Sequence, residues 1–292
     1  KVLSSMGDFV SEGDMLAHLN GQKTLPPKAI LITFDDGLKE QYELGVPIMD
    51  RLGIPGLFFV NTYNITEQKV SLAHKIHLLL AHTPFEEYKK EVCDRAMTLF
   101  NKSLEVVSIQ HAIIHYCYDT KERAIFKYFV NYHLSHDEQE KIINGLFAAK
   151  FNEPELAESL YMSAEQLREL SLRGLLGTHS HRHIPLGVCD HAYSFKDIKT
   201  SIDILNNITG KVPVSISYPY GSYEATGTQA LEACKDLGLQ LGFTMERAFN
   251  PDLNDPLALA RFDCNDLPGG KHPLFNKETF FNSVPERKWF KN

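Results

Sequence analysis

The sequence lacks the features of several protein classes. It carries 30 basic against 37 acidic residues, a net charge of −7, so a nucleic-acid-binding surface has no electrostatic basis. No apolar run approaches the roughly 18 residues that a membrane-spanning helix needs. Yet 43% of its 292 residues are hydrophobic and 23% are charged, which excludes a disordered chain and predicts a globular protein. We expect neither a nucleic-acid partner nor a membrane span.

Cysteine is scarce and scattered. None of the five cysteines forms a C-x-x-C pair, which argues against a zinc knuckle or a disulfide framework; they are Cys93, Cys117, Cys189, Cys234 and Cys264. We expect buried free thiols and, because no signal-peptide pattern opens the chain, a cytoplasmic location. The chain begins at Lys1 without an initiator methionine, so export stays open. The oligomeric state is not predicted.

Short apolar runs bounded by turn residues predict buried parallel strands. Residues 28–34 form such a run, a helix follows over 38–52, and a second strand lies at 57–61. After residue 173 the same alternation resumes, with strands at 174–179, 214–218, 239–244 and 257–262 and helices at 195–208 and 227–237. This order favours a (β/α) barrel or a related α/β architecture.

A long helical segment interrupts this alternation. Residues 68–173 are charged and show helical periodicity at 85–99, 121–133 and 163–172, where Ser163 is a candidate N-cap. We expect one domain over 1–292 that contains 68–173 as a helical insertion. A lid over the site, a dimer surface and inert decoration all stay open for it.

The histidine-rich motif at 179–183 has the spacing of a metal site. His179 and His183 are four residues apart, so on one helical turn they would face the same way and could bind one cation. Imidazole suits zinc and neighbouring first-row metals. A polar histidine-rich loop is the alternative.

Two adjacent carboxylates, Asp35 and Asp36, end the first predicted strand. The carboxyl ends of barrel strands are where such enzymes carry their catalytic residues. One carboxylate could complete a His-His-Asp metal site with an open coordination position, and the other could take a proton from a coordinated water. Alternatively, Asp36 and Gly37 only form a turn and cap the next helix.

Three motifs, taken in order, resemble the polysaccharide deacetylase family. They are Thr-Phe-Asp-Asp-Gly at 33–37, His-Ser-His-Arg-His at 179–183 and Ser-Tyr-Pro-Tyr-Gly at 217–221. The resemblance, to chitin and peptidoglycan deacetylases of carbohydrate esterase family 4, implies a distorted (β/α) barrel with a long helical insertion after the second strand. It implies metal-dependent removal of N- or O-linked acetyl groups from a sugar or polysaccharide, with zinc as the expected cofactor and cobalt, nickel or manganese as alternatives.

The resemblance also implies residue roles. Asp35 would be the catalytic base, and the metal ligands would be Asp36, His179 and His183. Pro219 and Tyr220 would line the acetyl pocket, and the backbone N–H of Tyr220 would bind the oxyanion. Other tyrosines near the strand ends, Tyr223 among them, could stack on sugar rings, but we assign that role to none of them.

The sequence departs from the family pattern at two points. Many members carry an arginine before the Pro-Tyr turn, where this chain has Ser217 and Tyr218; Arg261 could supply that charge beside Asp35, or be an ordinary structural arginine. The family's late Leu-x-His motif is absent, so His272 is the candidate general acid. Without an acid, amide cleavage would slow by about 10²–10⁴-fold.

Two other functions remain open at this point. A related metal-dependent hydrolase could cleave an amide or imide in a small non-sugar molecule, and a catalytically degenerate protein could only bind carbohydrate. The segment after Pro285, which holds the single tryptophan, Trp289, has no recognisable pattern.

Overall fold

A curled sheet of five parallel strands is the centre of the fold. The computed structural model describes residues 2–116 and 119–291, and the five strands lie side by side in the order in which they occur along the chain. These strands are β3 (Ile32–Phe34), β4 (Gly56–Val60), β5 (Leu176–Thr178), β6 (Ser215–Ser217) and β7 (Leu241–Phe243). The sheet forms a half-barrel surrounded by helices, so the predicted distorted (β/α) barrel is confirmed.

α-Helices make up most of the other regular secondary structure of the described residues. In chain order they are α1 (Glu12–Leu19), α2 (Val46–Leu52), α3 (Tyr63–Thr66), α4 (Leu72–His82), α5 (Phe85–Phe100), α6 (Ile109–His115), α7 (Lys121–Tyr128), α8 (His136–Ala148), α9 (Glu153–Leu160), α10 (Ala164–Leu172), α11 (His191–Thr209), α12 (Tyr223–Asp236) and α13 (Phe280–Ser283). Within the described residues, every helix is too short or too polar to cross a lipid bilayer.

Strand β4 is buried on both faces, as its sequence Gly-Leu-Phe-Phe-Val predicts. Because side chains alternate along a strand, Leu57 and Phe59 pack in one apolar cluster with Leu241, whereas Phe58 and Val60 pack in another. The sheet therefore has a core on each side, and β4 holds its two neighbours in parallel register.

Two of the predicted strands differ from the observed ones. The run 28–34 divides: β2 (Ala29–Ile30) pairs with β1 (Asp8–Phe9) in a separate sheet, and only the rest becomes β3. The strand predicted at 257–262 is wrong, because Pro256–Ala258 is a 3₁₀ turn and Leu259 makes a single bridge to Phe243. Asn250 explains this, since its side chain binds both the N–H (2.9 Å) and the carbonyl (3.0 Å) of Ala260 and so occupies groups that a ladder would need.

The chain forms two compact units. One unit contains the residues before Gln68 and after Ala157, and the other is Gln68–Ala157. The segment predicted as an insertion over 68–173 is therefore divided: α10 belongs to the barrel unit, where Leu167 and Leu170 lie in the same cluster as Phe58. The predicted cap of α10 is confirmed, because Ser163 and Gln166 form a capping box.

The cysteines are only partly as expected. Within the described residues, Cys93, Cys189, Cys234 and Cys264 are all free thiols, and Cys117 lies outside those residues. Of these four described cysteines, Cys234 alone is buried, Cys93 and Cys189 are half-buried, and Cys264 is exposed. The expectation of buried free thiols therefore holds for Cys234 alone.

Removing a side chain from the core of the sheet should destabilise the barrel unit. Leu241 is fully buried, so Leu241→Ala should lower the free energy of unfolding by about 2–5 kcal/mol. Urea unfolding followed by the fluorescence of Trp289 measures this. Leu172→Ala, at a leucine that is 71% exposed, is the matched control and should change it by less than about 0.5 kcal/mol; equal losses would contradict the assigned core.

Candidate active site

The predicted acidic and histidine motifs meet at the carboxyl edge of the sheet. Asp35 and Asp36 directly follow β3, and His179 directly follows β5. Strand β4 lies between these two strands, and the N–H of His179 donates to the carbonyl of Val60, the last residue of β4 (2.8 Å). Parallel pairing therefore brings together residues that are far apart in sequence.

A left-handed turn orients Asp36. Asp36 has φ 77° and Gly37 has φ 67°, a region that glycine adopts at low cost and aspartate tolerates. A Cβ on Gly37 would lie 2.7 Å from Cγ1 of Val60, so only glycine fits there. The turn places Oδ1 of Asp36 at 3.1 Å from Nε2 of His183 and 3.5 Å from Nε2 of His179.

The histidine motif forms a loop, whereas its spacing predicts a helical turn. Ser180 (φ 63°) and His183 (φ 54°) both have left-handed backbones. The Asp197 carboxylate on α11 accepts hydrogen bonds from the backbone N–H groups of His181 (2.9 Å) and Arg182 (3.2 Å). This loop brings the His179 and His183 rings to 4.9 Å between centroids, so the predicted convergence occurs by a different local geometry.

The three side chains suit a divalent cation. Ligand atoms of Asp36, His179 and His183 all lie within 4.8 Å of one another, and two imidazoles with one carboxylate are a donor set of zinc hydrolases. Nδ1 of His179 lies 2.7 Å from the carbonyl oxygen of Ser217, so Nδ1 carries the proton and Nε2 offers its lone pair. Such an outer hydrogen bond is typical of metal-binding histidines.

Burial and the carboxylates set the charge of the two rings. Burial lowers the pKa of His179 and so favours the neutral ring that can bind a metal. Burial acts in the same direction on His183, but the hydrogen bond that this ring donates to Asp36 and the charges of Asp36 and Asp35 outweigh burial and raise the pKa of that ring. Both histidines are buried, at most 6% exposed, so their rings are largely shielded from water.

Asp35 forms a bidentate ion pair with Arg261. The guanidinium donates to Oδ1 (3.0 Å) and Oδ2 (2.9 Å) of the carboxylate, and its Nε donates to the carbonyl of Thr244 (3.0 Å). Burial alone would raise the pKa of Asp35, but the charge of Arg261 outweighs it and holds that pKa below its usual value. Arg261 thus places a positive charge where the sequence analysis looked for one.

Ser217, which in the sequence is recognisable only as a departure from the family pattern, is also a site residue. Its Oγ donates to Oδ2 of Asp35 (3.0 Å) and accepts from Arg261 (2.8 Å), and its carbonyl binds His179. One residue therefore connects the base candidate with the metal-ligand candidates. In the sequence, the only indication that Ser217 belongs to the site is its position just before the Pro-Tyr turn.

The Pro-Tyr turn lies beside the histidines. Tyr220 (φ 61°) and Gly221 (φ 62°) form another left-handed pair, and the Tyr220 ring lies 5.1 Å from the ring of His183. Pro219 is buried next to it. A Cβ on Gly221 would lie 2.7 Å from Cγ of Met245, so the turn requires glycine.

His272 is placed differently. It lies in an exposed turn segment, where its backbone N–H donates to the carbonyl of Asn265 (3.1 Å). This position gives no geometric support to its predicted role as general acid, which stays a prediction.

Comparison with solved structures identifies the same fold in known deacetylases. The deacetylase domain of BpsB from Bordetella bronchiseptica aligns with a TM-score of 0.53 at 18% identity, covering 89% of this chain and 80% of that one. Deacetylase PplD from Streptococcus pyogenes, in complex with acetate, aligns with a TM-score of 0.52 at 15% identity, covering 89% and 76%. IcaB from Ammonifex degensii gives 0.51 at 18% identity, covering 89% and 78%.

The family comparison agrees with the motifs. No significant match was found among curated protein sequences. The polysaccharide deacetylase family model matches residues 22–108 and 129–242, which is more than half of the chain and contains all three motifs. The chain therefore belongs to the polysaccharide deacetylase family, and its fold and motifs are those of a hydrolase acting on the acetyl groups of carbohydrates.

Proposed function

We propose that this protein is a divalent-metal-dependent deacetylase that hydrolyses an N- or O-linked acetyl group of a carbohydrate. The observation that carries the proposal is the grouping of Asp36, His179 and His183, whose ligand atoms lie within 4.8 Å of one another. Asp35, the residue next to Asp36, has a different partner, Arg261. The two carboxylates therefore have separate surroundings, as separate roles require.

Asp36, His179 and His183 would hold the cation, with zinc as the expected ion. When bound, such a cation supplies a Lewis acid that polarises the acetyl carbonyl and makes water a stronger nucleophile. The protein supplies the fixed donors: the carbonyl of Ser217 orients His179, and the left-handed turn at Asp36 and Gly37 orients the carboxylate.

Asp35 would accept the proton of the attacking water at a carboxylate oxygen. It must be ionised to do so, and Arg261 favours the ionised form by lowering its pKa. Arg261 also fixes the orientation of the carboxylate, because two parallel N–H donors bind its two oxygens. Arg261 is thus a positioning residue for the base.

The turn at Pro219 and Tyr220 would form the acetyl pocket. The left-handed backbone at Tyr220 and the packing of its ring against His183 fix this turn beside the ligand candidates. A backbone N–H at this position can stabilise the oxyanion of the tetrahedral intermediate without reorganisation.

The alternative of a small-molecule amide or imide hydrolase rested on the missing Leu-x-His motif and on the missing arginine motif. Arg261 provides a guanidinium to Asp35 from another part of the chain, so that departure no longer favours a different substrate class. A degenerate binding protein has no need of the intact Asp-His-His grouping and the paired carboxylate. We therefore propose the carbohydrate deacetylase alone.

Removal of metal should abolish the activity. Acetate release is measured on a panel of acetylated sugars and oligosaccharides, before and after treatment with a chelator. We expect release that the chelator abolishes and that a divalent cation restores, because Asp35 by itself cannot polarise the acetyl carbonyl. Release that survives complete metal removal would contradict the proposal.

Variants of the two histidine ligands test the metal site directly. His179→Ala and His183→Ala should each weaken metal binding, measured by calorimetry and elemental analysis, by at least about 100-fold, more than the loss of an outer-shell partner. His111→Ala, an exposed histidine on α6, is the control and should keep full metal content. Equal losses from all three variants would contradict the assigned site.

Asp35→Asn should separate the base from the ligands. The amide has nearly the shape of the carboxylate but cannot take a proton, so turnover should fall by about 10²–10⁴-fold. Metal content should remain at the wild-type level, whereas Asp36→Asn should reduce it. Loss of metal in Asp35→Asn together with its retention in Asp36→Asn would show that the two roles are reversed.

Replacement of Arg261 should impair catalysis without removing the metal. Arg261→Met leaves Asp35 without its bidentate donor, and we expect kcat/KM to fall by about 100-fold, the cost of a misplaced reacting group. Arg261→Lys keeps the charge but not the fork, so it should recover only part of the rate. Arg247→Met is the control, because Arg247 pairs with Asp266 and is 53% exposed; it should change kcat/KM by less than about 2-fold.

A further inference from the structure

Tyr223, which follows the Pro-Tyr turn in sequence, packs with two aromatic side chains from the last residues of the chain. Tyr223 starts α12, three residues after Tyr220. Its ring stacks on Phe290 (centroids 4.6 Å apart, planes at 9°) and meets the edge of Trp289 (6.0 Å, 74°). Tyr223 is 47% exposed, and the other two rings are half-buried. We call Tyr223, Trp289 and Phe290 the aromatic cluster.

The chain segment that carries Trp289 and Phe290 is firmly anchored. The carboxylate of Glu246, itself 7% exposed, accepts hydrogen bonds from the backbone N–H groups of Lys288 (2.6 Å) and Trp289 (3.0 Å). Arg287 is fully buried, and its guanidinium donates to the carbonyls of Asp255 (3.0 Å) and Ala258 (3.2 Å). The two rings are therefore held in place before any ligand arrives, which lowers the entropy cost of binding.

The anchor is connected to the candidate active site. The N–H of Met245 donates to the carbonyl of Gly221 (2.8 Å), and the N–H of Arg261 donates to the carbonyl of Glu246 (3.1 Å). Tyr220 and Tyr223 are three Cα–Cα steps apart, at most about 11 Å. The aromatic cluster therefore begins beside the turn whose Tyr220 ring lies 5.1 Å from the ring of His183.

We propose that the aromatic cluster is a carbohydrate subsite that binds a sugar unit next to the acetylated one. The inference rests on the proposed deacetylase function and assigns to the aromatic cluster of this chain the contact with the sugar unit beside the acetylated one. The C–H faces of a pyranose ring are apolar and flat, and they match exposed aromatic rings that have little side-chain entropy to lose. Glu246 has no role in the proposed chemistry, so its buried carboxylate serves to position this cluster.

The test compares substrates of different length. Acetate release is measured on N-acetylglucosamine and its pentamer, and on acetylated xylose and an acetylated xylan pentamer, for the wild type and for Trp289→Ala and Tyr223→Ala. In the wild type, kcat/KM should be higher for a pentamer than for its monosaccharide. In both variants this ratio should fall by about 10-fold, mainly through KM, the size of an aromatic stacking contribution.

Controls separate stacking from folding. Alanine at 289 keeps the backbone N–H that Glu246 accepts, and Trp289→Phe should restore most of the ratio because it restores a flat ring. Phe281→Ala is the matched control. Phe281 is 41% exposed, and its ring centroid lies 4.2 Å from Nζ of Lys28, the residue that precedes β2. It should leave the ratio at the wild-type value.

A binding measurement gives an independent readout. Since Trp289 is the only tryptophan, its emission in Asp35→Asn should shift on titration with the pentamer that the wild type deacetylates, and less with the monosaccharide. Acetate release without any length preference, or an unchanged ratio in the two alanine variants, would overturn the subsite and leave the proposed function intact. Absence of acetate release from every substrate would overturn the proposed function itself.

Discussion

The end of strand β4 is the point on which the site depends. Val60 contacts both motif segments. Its carbonyl accepts a hydrogen bond from the N–H of His179, and its side chain packs so close to Gly37 that no larger residue fits at position 37. Because β3, β4 and β5 run parallel, the segments that follow β3 and β5 lie at the same edge of the sheet. The apolar sequence of β4 thus determines, through packing on both faces, where an acidic turn and a histidine loop meet.

Charge is distributed so that two adjacent carboxylates coexist in a partly buried place. Two neighbouring anions repel, and each raises the pKa of the other unless a cation is near. Asp35 has Arg261, and Asp36 faces His179 and His183. Because consecutive residues point in different directions and Asp36 adopts a left-handed backbone, the two partners do not compete. Ser217 binds both Asp35 and His179 and so fixes the position of one carboxylate relative to the metal-ligand candidates.

The sequence predicts what depends on long apolar runs and on motif order, and it misses what depends on local backbone geometry. Most strands, most helices and the meeting of the acidic pair with the two histidines follow from patterns along the chain, and the choice of Asp36 as the ligand follows from the family resemblance. The histidine loop does not, since its two left-handed residues and the Asp197 carboxylate that holds its N–H groups have no periodic signature. Likewise, Asn250 replaces a ladder by side-chain bonds, which no β-propensity anticipates.

The position of the segment around Trp289 is likewise not predictable from the sequence. Its residues follow no helical or strand period, so the sequence gives no reason to place it anywhere. Its position follows instead from one buried carboxylate, Glu246, and one buried guanidinium, Arg287, each of which needs hydrogen-bond partners in the protein interior. The candidate catalytic groups are therefore positioned by the ends of the strands, whereas the segment that carries Trp289 and Phe290 is positioned by buried polar hydrogen bonds.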